Sequence, residues 1–170
     1  MPEDRPNAAQ LYRVLAPAVL GYLRTQRIPD PEDALGEVFL QVARDLDRFR
    51  GDEAALRRWV FSIAHNRAMD AHRKAARRRS TLEAELGEAA ASASGPGGHA
   101  PPPPDPLDPE LVDALATLSA DQREVVVLRF VADLPLEAVA KITGRKVGAV
   151  KALQHRALEN LRRAVSRGAD

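Results

Sequence analysis

Residues 87–109, GEAAASASGPGGHAPPPPDPLDP, hold seven of the 13 prolines of this 170-residue chain and no large apolar side chain except Leu107. A stretch of that kind removes too little apolar surface from water to offset the entropy lost on ordering it. It reads as a flexible linker that divides the chain into two short folding units. The expected division is a first domain over 7–79, a linker over 80–109 and a second domain over 110–167. Neither unit is long enough for a large catalytic barrel, and each must build a small core of its own. Thirty residues of such composition reach about 90 Å as polyproline II and only about 30 Å as coil, so the domains are expected to be tethered rather than fused.

Composition narrows the class further. Apolar residues make up 45% and charged residues 29%, a balance that supports compact cores on either side of the linker. The absence of cysteine removes disulfide frameworks, thiolate metal sites and thiol nucleophiles together, and fits a reducing cytosol. The start, MPEDRPNAAQ, has no cationic region leading into an apolar run, and nowhere do 18 apolar residues follow one another. The expectation is a protein neither exported nor membrane-spanning.

The net charge of +1 is uninformative, but its distribution is not. From His65 to Arg79 six bases stand against Asp70 alone, and from Gly144 to Arg167 seven bases stand against Glu159 alone. Between Ser80 and Gln122 there is neither Lys nor Arg. Two separated basic surfaces suit a polyanion gripped at two places, although solvated helix faces also carry such charge.

Helical periodicity runs through both halves. Leu11, Val14, Leu15, Ala18, Val19, Tyr22 and Leu23 form one series, which Pro17 should kink or restart. Ala34, Leu35, Val38, Phe39, Val42, Ala43 and Leu46 form a second, behind an acidic first turn. After a turn at Phe49–Asp52, Leu56, Trp59, Val60, Ile63 and Ala64 form a third, basic toward its C-terminus. In the second half, Leu111, Val112, Leu115 and Leu118 mark a short helix, and Ser119-Ala120-Asp121-Gln122 has capping-box form for the next. Val125 to Leu128 alone could pass for a strand, but the cap and helical flanks favour helix. Pro135 opens a further helix, and Gly144 separates it from a long last one over about 147–165. The fold class is therefore all-α, with two small helical domains joined by a flexible proline-rich linker.

The segment PLEAVAKITGRKVGAVKALQHRALENLRR has the form of a helix-turn-helix. Ala140 is small where the helices must cross, and Gly144 stands where the turn demands unusual backbone angles. Val139, Val147, Val150 and Leu153 then fall on the shared core, leaving Lys146, Lys151, Gln154, His155 and Arg156 on the opposite face. Arg and Lys suit guanine edges, Gln suits adenine, and the remaining bases suit phosphate. The competing reading is an ordinary helical hairpin with a solvated face. A second constellation, FRGDEAALRRWVFSIAHNRAMDAHRKAARRR, puts Ser62, His65, Asn66, Asp70, Arg73 and Arg77 on the polar face of a helix whose buried stripe, Trp59 included, is core. Amide and carboxylate groups that can read bases stand there among cations that can hold phosphates.

These stretches, taken in order, resemble the extracytoplasmic-function (ECF, group IV) sigma factors, promoter-specificity subunits of bacterial RNA polymerase. DPEDALGEVFLQV and FRGDEAALRRWVFSIAHNRAMD with its trailing basic run resemble sigma region 2. LSADQREVVVLRFVADLPLEAVAKITGRKVGAVKALQHRAL resembles region 4. The resemblance implies a region 2-like bundle that binds core polymerase and the −10 element, and a region 4-like domain that binds the −35 element. It implies core docking, on the clamp helices of the β′ subunit, through Asp33, Glu37 and Gln41, and the eight acids against three arginines between Asp30 and Glu53 suit that role. It implies capture of a flipped −10 base and its separated strand by Arg50, Gly51, Asp52, Asn66, Asp70, Arg73, Lys74 and Arg77. In region 4 it implies −35 contacts by Arg145, Lys146, Lys151, Gln154, His155 and Arg156, with Lys151, His155 and Arg156 nearest the bases and Arg145 and Lys146 on phosphate. Further partners implied are the polymerase β flap and an anti-sigma factor. Ala149, where the family often has Thr, and Ala152-Leu153-Gln154, in place of the frequent Ser-Arg-Leu, leave the −35 sequence open. The acidic, base-free linker could mimic RNA in the polymerase exit path or serve only as a tether.

Other classes fit less well. His65 and His72 lie two helical turns apart and Asp70 has no second carboxylate beside it, so no metal site, cofactor or catalytic set is expected. No phosphate-binding glycine loop or nucleophile elbow occurs, and Tyr12 and Tyr22 lie in a core stripe. A freestanding helix-turn-helix regulator, dimeric and binding duplex DNA without polymerase, is the main alternative. A protein-only adaptor would leave both basic surfaces unexplained.

Overall fold

The computed structural model describes residues 7–85 and 107–168, and every regular element among them is helical. Expectations about the stretch between Gly87 and Pro106, the tether and RNA-mimic roles included, lie outside the described residues. Helix α1 (Ala8–Thr25) opens with a reciprocal capping box between Asn7 and Gln10 and carries Pro17 without interruption. Its stripe is buried as expected at Leu11, Leu15, Val19, Tyr22 and Leu23, but Val14, at the edge of that stripe, lies 66% exposed. Helix α2 (Pro31–Asp45) starts with Pro31 in its first turn and the Asp30 side chain accepting from the Asp33 amide. A short 3-10 turn (Leu46–Arg48) follows.

Helix α3 (Glu53–Ala84) is 32 residues long. The sequence reading ended the first domain at Arg79, whereas the helix continues five residues further, because Ser80-Thr81-Leu82-Glu83-Ala84 contains no glycine or proline to stop it. Its buried residues, Leu56, Val60, Phe61, Ile63, Ala64 and Ala68, all lie in its first half, with Met69 and Ala71 packed partly against the core just beyond.

The second half contains α4 (Pro109–Ala116), α5 (Ala120–Val126), a π-helical turn (Val127–Val131), α6 (Leu136–Thr143) and α7 (Val147–Gly168). The Ser119–Gln122 capping box forms, and the segment that could have passed for a strand is helical. Pro135 is the residue just before α6 rather than its first, and Gly144 ends that helix in the left-handed region at φ +67°. Of the short-helix series, Leu115 and Leu118 are buried while Leu111 and Val112 face outward.

The two halves do not stand apart. Residues of α1 pack on α5 and the π turn, α3 packs on α6, and the buried apolar residues of both halves form one continuous cluster. This corrects the expectation of domains that are merely tethered. Small units with few core residues bury more apolar surface by sharing an interface than by standing alone. Leu107, the one large apolar residue of 87–109, is also buried.

Candidate nucleic-acid interface

The loop before α3 is built by its own residues. The Phe49 ring stacks on Trp59 with centroids 5.1 Å apart, fixing the loop against the helix it precedes. Gly51 has φ +154°, and a Cβ there would stand 2.9 Å from that of Ala55 and 3.0 Å from the Phe49 ring. Only glycine fits such a turn without displacement. Asp52 caps α3, its Oδ1 accepting from the Ala55 amide at 2.8 Å. Arg50 folds back, its Nη1 donating to the Asp47 and Phe49 carbonyls at 2.7 Å each. Arg50, Gly51 and Asp52 thus shape the loop before they can contact anything else.

Along α3, Asn66, Asp70, Arg73, Lys74 and Arg77 are exposed on the surface. Arg73 Nη1 is 2.8 Å from Asp70 Oδ1, one turn apart, which aligns both side chains on the helix. Ser62 spends its hydroxyl on the Trp59 carbonyl, and His65 leaves this face for the seam between the halves. A groove of about 520 Å³ runs between the start of α2 and the far half of α3, with Asp30, Asp33 and Glu37 on its acidic lip and Lys74, Arg77 and Arg78 on its basic one. Arg67 bridges the two helices, its Nη2 donating to Gln41 Oε1 at 3.0 Å and its Nη1 lying 3.8 Å from Glu37 Oε2. Two of the three expected docking residues are therefore tied to α3. Arg67 was legible in the sequence only as one base among six.

The helix-turn-helix closes as its residues require. Val139 and Val150 are fully buried, Ala140 is buried at the crossing, and Val147 and Leu153 pack partly against the core. Lys151, His155 and Arg156 are exposed on α7, and Lys146 is exposed in the turn just before it. Two others of the expected set turn toward the scaffold. Arg145 Nη2 pairs with Asp121 Oδ1 of α5 at 2.8 Å, and Gln154 Oε1 accepts from Arg129 Nε at 3.0 Å. Arg129 also donates through Nη1 to the Leu134 carbonyl at 2.5 Å, so it pins the π turn to α7 and to the loop before α6.

The residues that sequence reasoning missed lie at the seam. Glu124, 7% exposed on α5, accepts from the Tyr22 hydroxyl at 3.0 Å through Oε1, which lies 2.9 Å from His65 Nδ1. Burial alone would raise the Glu124 carboxyl, but the His65 hydrogen bond and charge, the Tyr22 hydroxyl and the Arg145 cation outweigh it and hold the group below the usual glutamate range. Burial, then the charge and hydrogen bond of Glu124, pushes the Tyr22 hydroxyl well above its usual value. Arg123, also buried, is lowered by that burial and by Arg27, yet remains a cation as arginine does in proteins.

Comparison with known proteins accounts for this arrangement of two basic helices. Residues 11–78 match the family model for sigma-70 region 2, and residues 114–163 match that for sigma-70 region 4. The chain is 31% identical over 170 aligned positions to the ECF RNA polymerase sigma factor SigD of Mycobacterium tuberculosis, spanning 94% of this chain and 77% of that protein. The chain belongs to the ECF sigma factors. The RNA polymerase sigma factor CarQ of Myxococcus xanthus is similar as well, at 35% identity over 150 positions covering 86% of this chain and 82% of that one. The fold matches the sigma factor RpoE solved with the anti-sigma factor NepR from Bartonella quintana, with a TM-score of 0.66 at 24% identity over 93% of this chain and 96% of that one. It also matches CnrH solved with the cytosolic domain of CnrY, with a TM-score of 0.58 at 24% identity over 94% and 88%. This sigma factor is a transcription initiation factor rather than an enzyme: its regions 2 and 4 mediate binding to core RNA polymerase and recognition of −10 and −35 promoter elements. Among the described residues no helix is long and apolar enough to cross a membrane.

Proposed function

We propose that the α3 face of this sigma factor holds the melted −10 strand, with Asn66 and Asp70 reading an extruded base and Arg73, Lys74 and Arg77 holding its phosphates. Extrusion costs a few kcal/mol, which polar pocket groups and adjacent cations must offset together. The observation that carries this reading is the exposure of all five side chains on successive turns of one helix. Arg50, Gly51 and Asp52 act by fixing the loop that walls the pocket. Asp33, Glu37 and Gln41 dock on the β′ clamp helices, with Arg67 setting the orientation of the last two.

In region 4, Lys151, His155 and Arg156 enter the major groove of the −35 element while Lys146 contacts phosphate, and the domain reaches the β flap. Arg145 and Gln154 support the reading helix through Asp121 and Arg129, and Arg145 reaches phosphate only if it leaves Asp121. RpoE and CnrH, alike in fold, were solved with anti-sigma factors, which supports such a protein as a partner here. The site of action is the bacterial cytosol, on the nucleoid once in holoenzyme.

The test is co-purification with core RNA polymerase, followed by transcription in vitro from a genomic fragment library and sequencing of the RNA 5′ ends. Starts sharing two upstream motifs are expected. Their loss in an Asn66→Ala, Arg73→Ala, Lys151→Ala and Arg156→Ala set, each at its own element, would support the assignment; unchanged motif usage would overturn it.

A further inference from the structure

The seam between the two halves is polar where a shared core is ordinarily apolar. The Tyr22 hydroxyl from α1, His65 Nδ1 from α3 and Glu124 Oε1 from α5 lie within 3.0 Å of one another. A carboxylate only accepts, so the hydroxyl donates to it, and Nδ1 must carry hydrogen to lie so close to the same oxygen. The neighbouring Arg123 donates through Nε to the Thr25 carbonyl at 2.9 Å, where α1 ends. Adjacent residues of α5 therefore present one anion and one cation to the first half, and each is matched there. Buried polar groups matched across an interface fix its register, and they penalise any state that keeps them dry without partners.

This closure has a consequence for DNA. Asn66, Asp70 and Arg73 of α3 face Lys141, Thr143 and Gly144 of the helix-turn-helix across a cleft of about 510 Å³. The −10 and −35 elements are separated, by their names, by some 25 base pairs, or about 85 Å at 3.4 Å per base pair. In the closed form α3 packs directly on α6, so one molecule cannot hold both elements without opening the seam.

We propose that Glu124 is the latch of a self-closed sigma factor: by accepting from Tyr22 and His65 across the seam it holds region 4 over the strand-binding face of region 2, and polymerase and promoter must select the open form. The consequence for the −10 strand rests on the −10 assignment above; the latch itself does not. Removing Glu124 takes from Tyr22 and His65 the acceptor they share in the closed form and leaves them only their 3.0 Å contact with each other, so closure is weakened; the charge that Arg145 faces within region 4 is lost as well, whereas the Tyr22 variant leaves it in place. The apparent affinity of a partner that binds only the open form is its intrinsic affinity scaled by the open fraction. Losing the buried hydrogen bonds to that carboxylate shifts the balance roughly tenfold or more toward opening.

The chain lacks cysteine, so the exposed pair Arg13→Cys and Asp113→Cys takes two spin labels without background. Pulsed dipolar spectroscopy of the full chain is expected to give one narrow distance distribution. Glu124→Ala should broaden and lengthen it, and should tighten binding to core RNA polymerase roughly tenfold. Tyr22→Phe keeps the buried ring and removes only the hydroxyl; a smaller change in the same direction is expected, which separates latch release from misfolding of region 4. A broad distribution in the unsubstituted chain, or an unchanged narrow one in both variants, would overturn the latch. Lengthened distances with unchanged polymerase affinity would overturn its control of binding. Absence of polymerase binding by every form would instead sink the docking assignment, while the distances still decide the latch.

Discussion

The two helices assigned to DNA carry similar charge but are supported differently. On α3 the expected residues Asn66, Asp70, Arg73, Lys74 and Arg77 are all exposed, and the ion pair among them, Asp70 with Arg73, stays within the helix. On α7 and the turn before it the expected set divides: Lys146, Lys151, His155 and Arg156 face outward, whereas Arg145 and Gln154 are committed to Asp121 and Arg129. A 32-residue helix anchored along only half its length needs no further brace to present its surface. A recognition helix crossing a short partner at Ala140 is fixed by few apolar contacts, and side-chain bonds from α5 and the π turn complete the support. Residue type alone does not separate readers from braces, since arginine and glutamine serve as both.

The largest expected effect comes from the thin core of the helix-turn-helix. Val150→Asp places an unpaired charge in a fully buried position and should cost more than about 4 kcal/mol, enough to unfold region 4. Transcription that depends on the −35 element should vanish while polymerase still pulls down the chain through region 2; loss of both activities would show that the two regions fold as one unit. Next is Asn66→Ala, which should lower promoter opening by roughly tenfold or more, the equivalent of losing one good base contact, with polymerase binding intact. Normal permanganate reactivity of the −10 strand would remove Asn66 from the reading set.

What the sequence disclosed and what it hid follow from the range of the interactions. Helix positions, the Ser119–Gln122 capping box and the left-handed Gly144 rest on contacts within a few residues, and all were legible. The outward-facing members of each basic helix were legible for the same reason. Glu124 was not, because its partners lie 102 and 59 residues away and nothing local marks an acid as buried. The roles of Arg67 and Arg129 were hidden likewise, each bridging helices whose relative placement periodicity does not report. Even a strong pattern failed where packing decided: Val14 fits its stripe yet faces outward.

The contrast between readers and braces on α7 is sharpened by a matched pair. Arg156→Ala should lower initiation from a cognate promoter roughly tenfold and relax preference at one position of the −35 element. Arg145→Ala should act through support, lowering the denaturation midpoint of region 4 by the worth of one partly exposed ion pair, about 1 kcal/mol or less, with no change in preferred sequence. Promoter libraries read out by sequencing distinguish the two. A change of sequence preference in the Arg145 variant, or none in the Arg156 variant, would exchange their roles.

The smallest effect is the pH dependence of the seam's stability, which is confined to the extremes. Glu124 is held below the usual glutamate value near 4.5, so its contribution to the folded state is complete above that value and is lost as pH falls through its folded value. Tyr22 is raised well above its usual 10.0, so its contribution is complete below 10.0 and is lost as pH rises through the folded value. Urea midpoints should therefore show no dependence on these two groups between about pH 5 and 10. Glu124→Gln should flatten the acid limb alone, because an amide has no proton to gain, and Tyr22→Phe the alkaline limb alone. If Glu124→Gln leaves the acid limb as steep as before, the carboxyl is not ionised against Tyr22 and His65, and the polar seam contributes registry without charge.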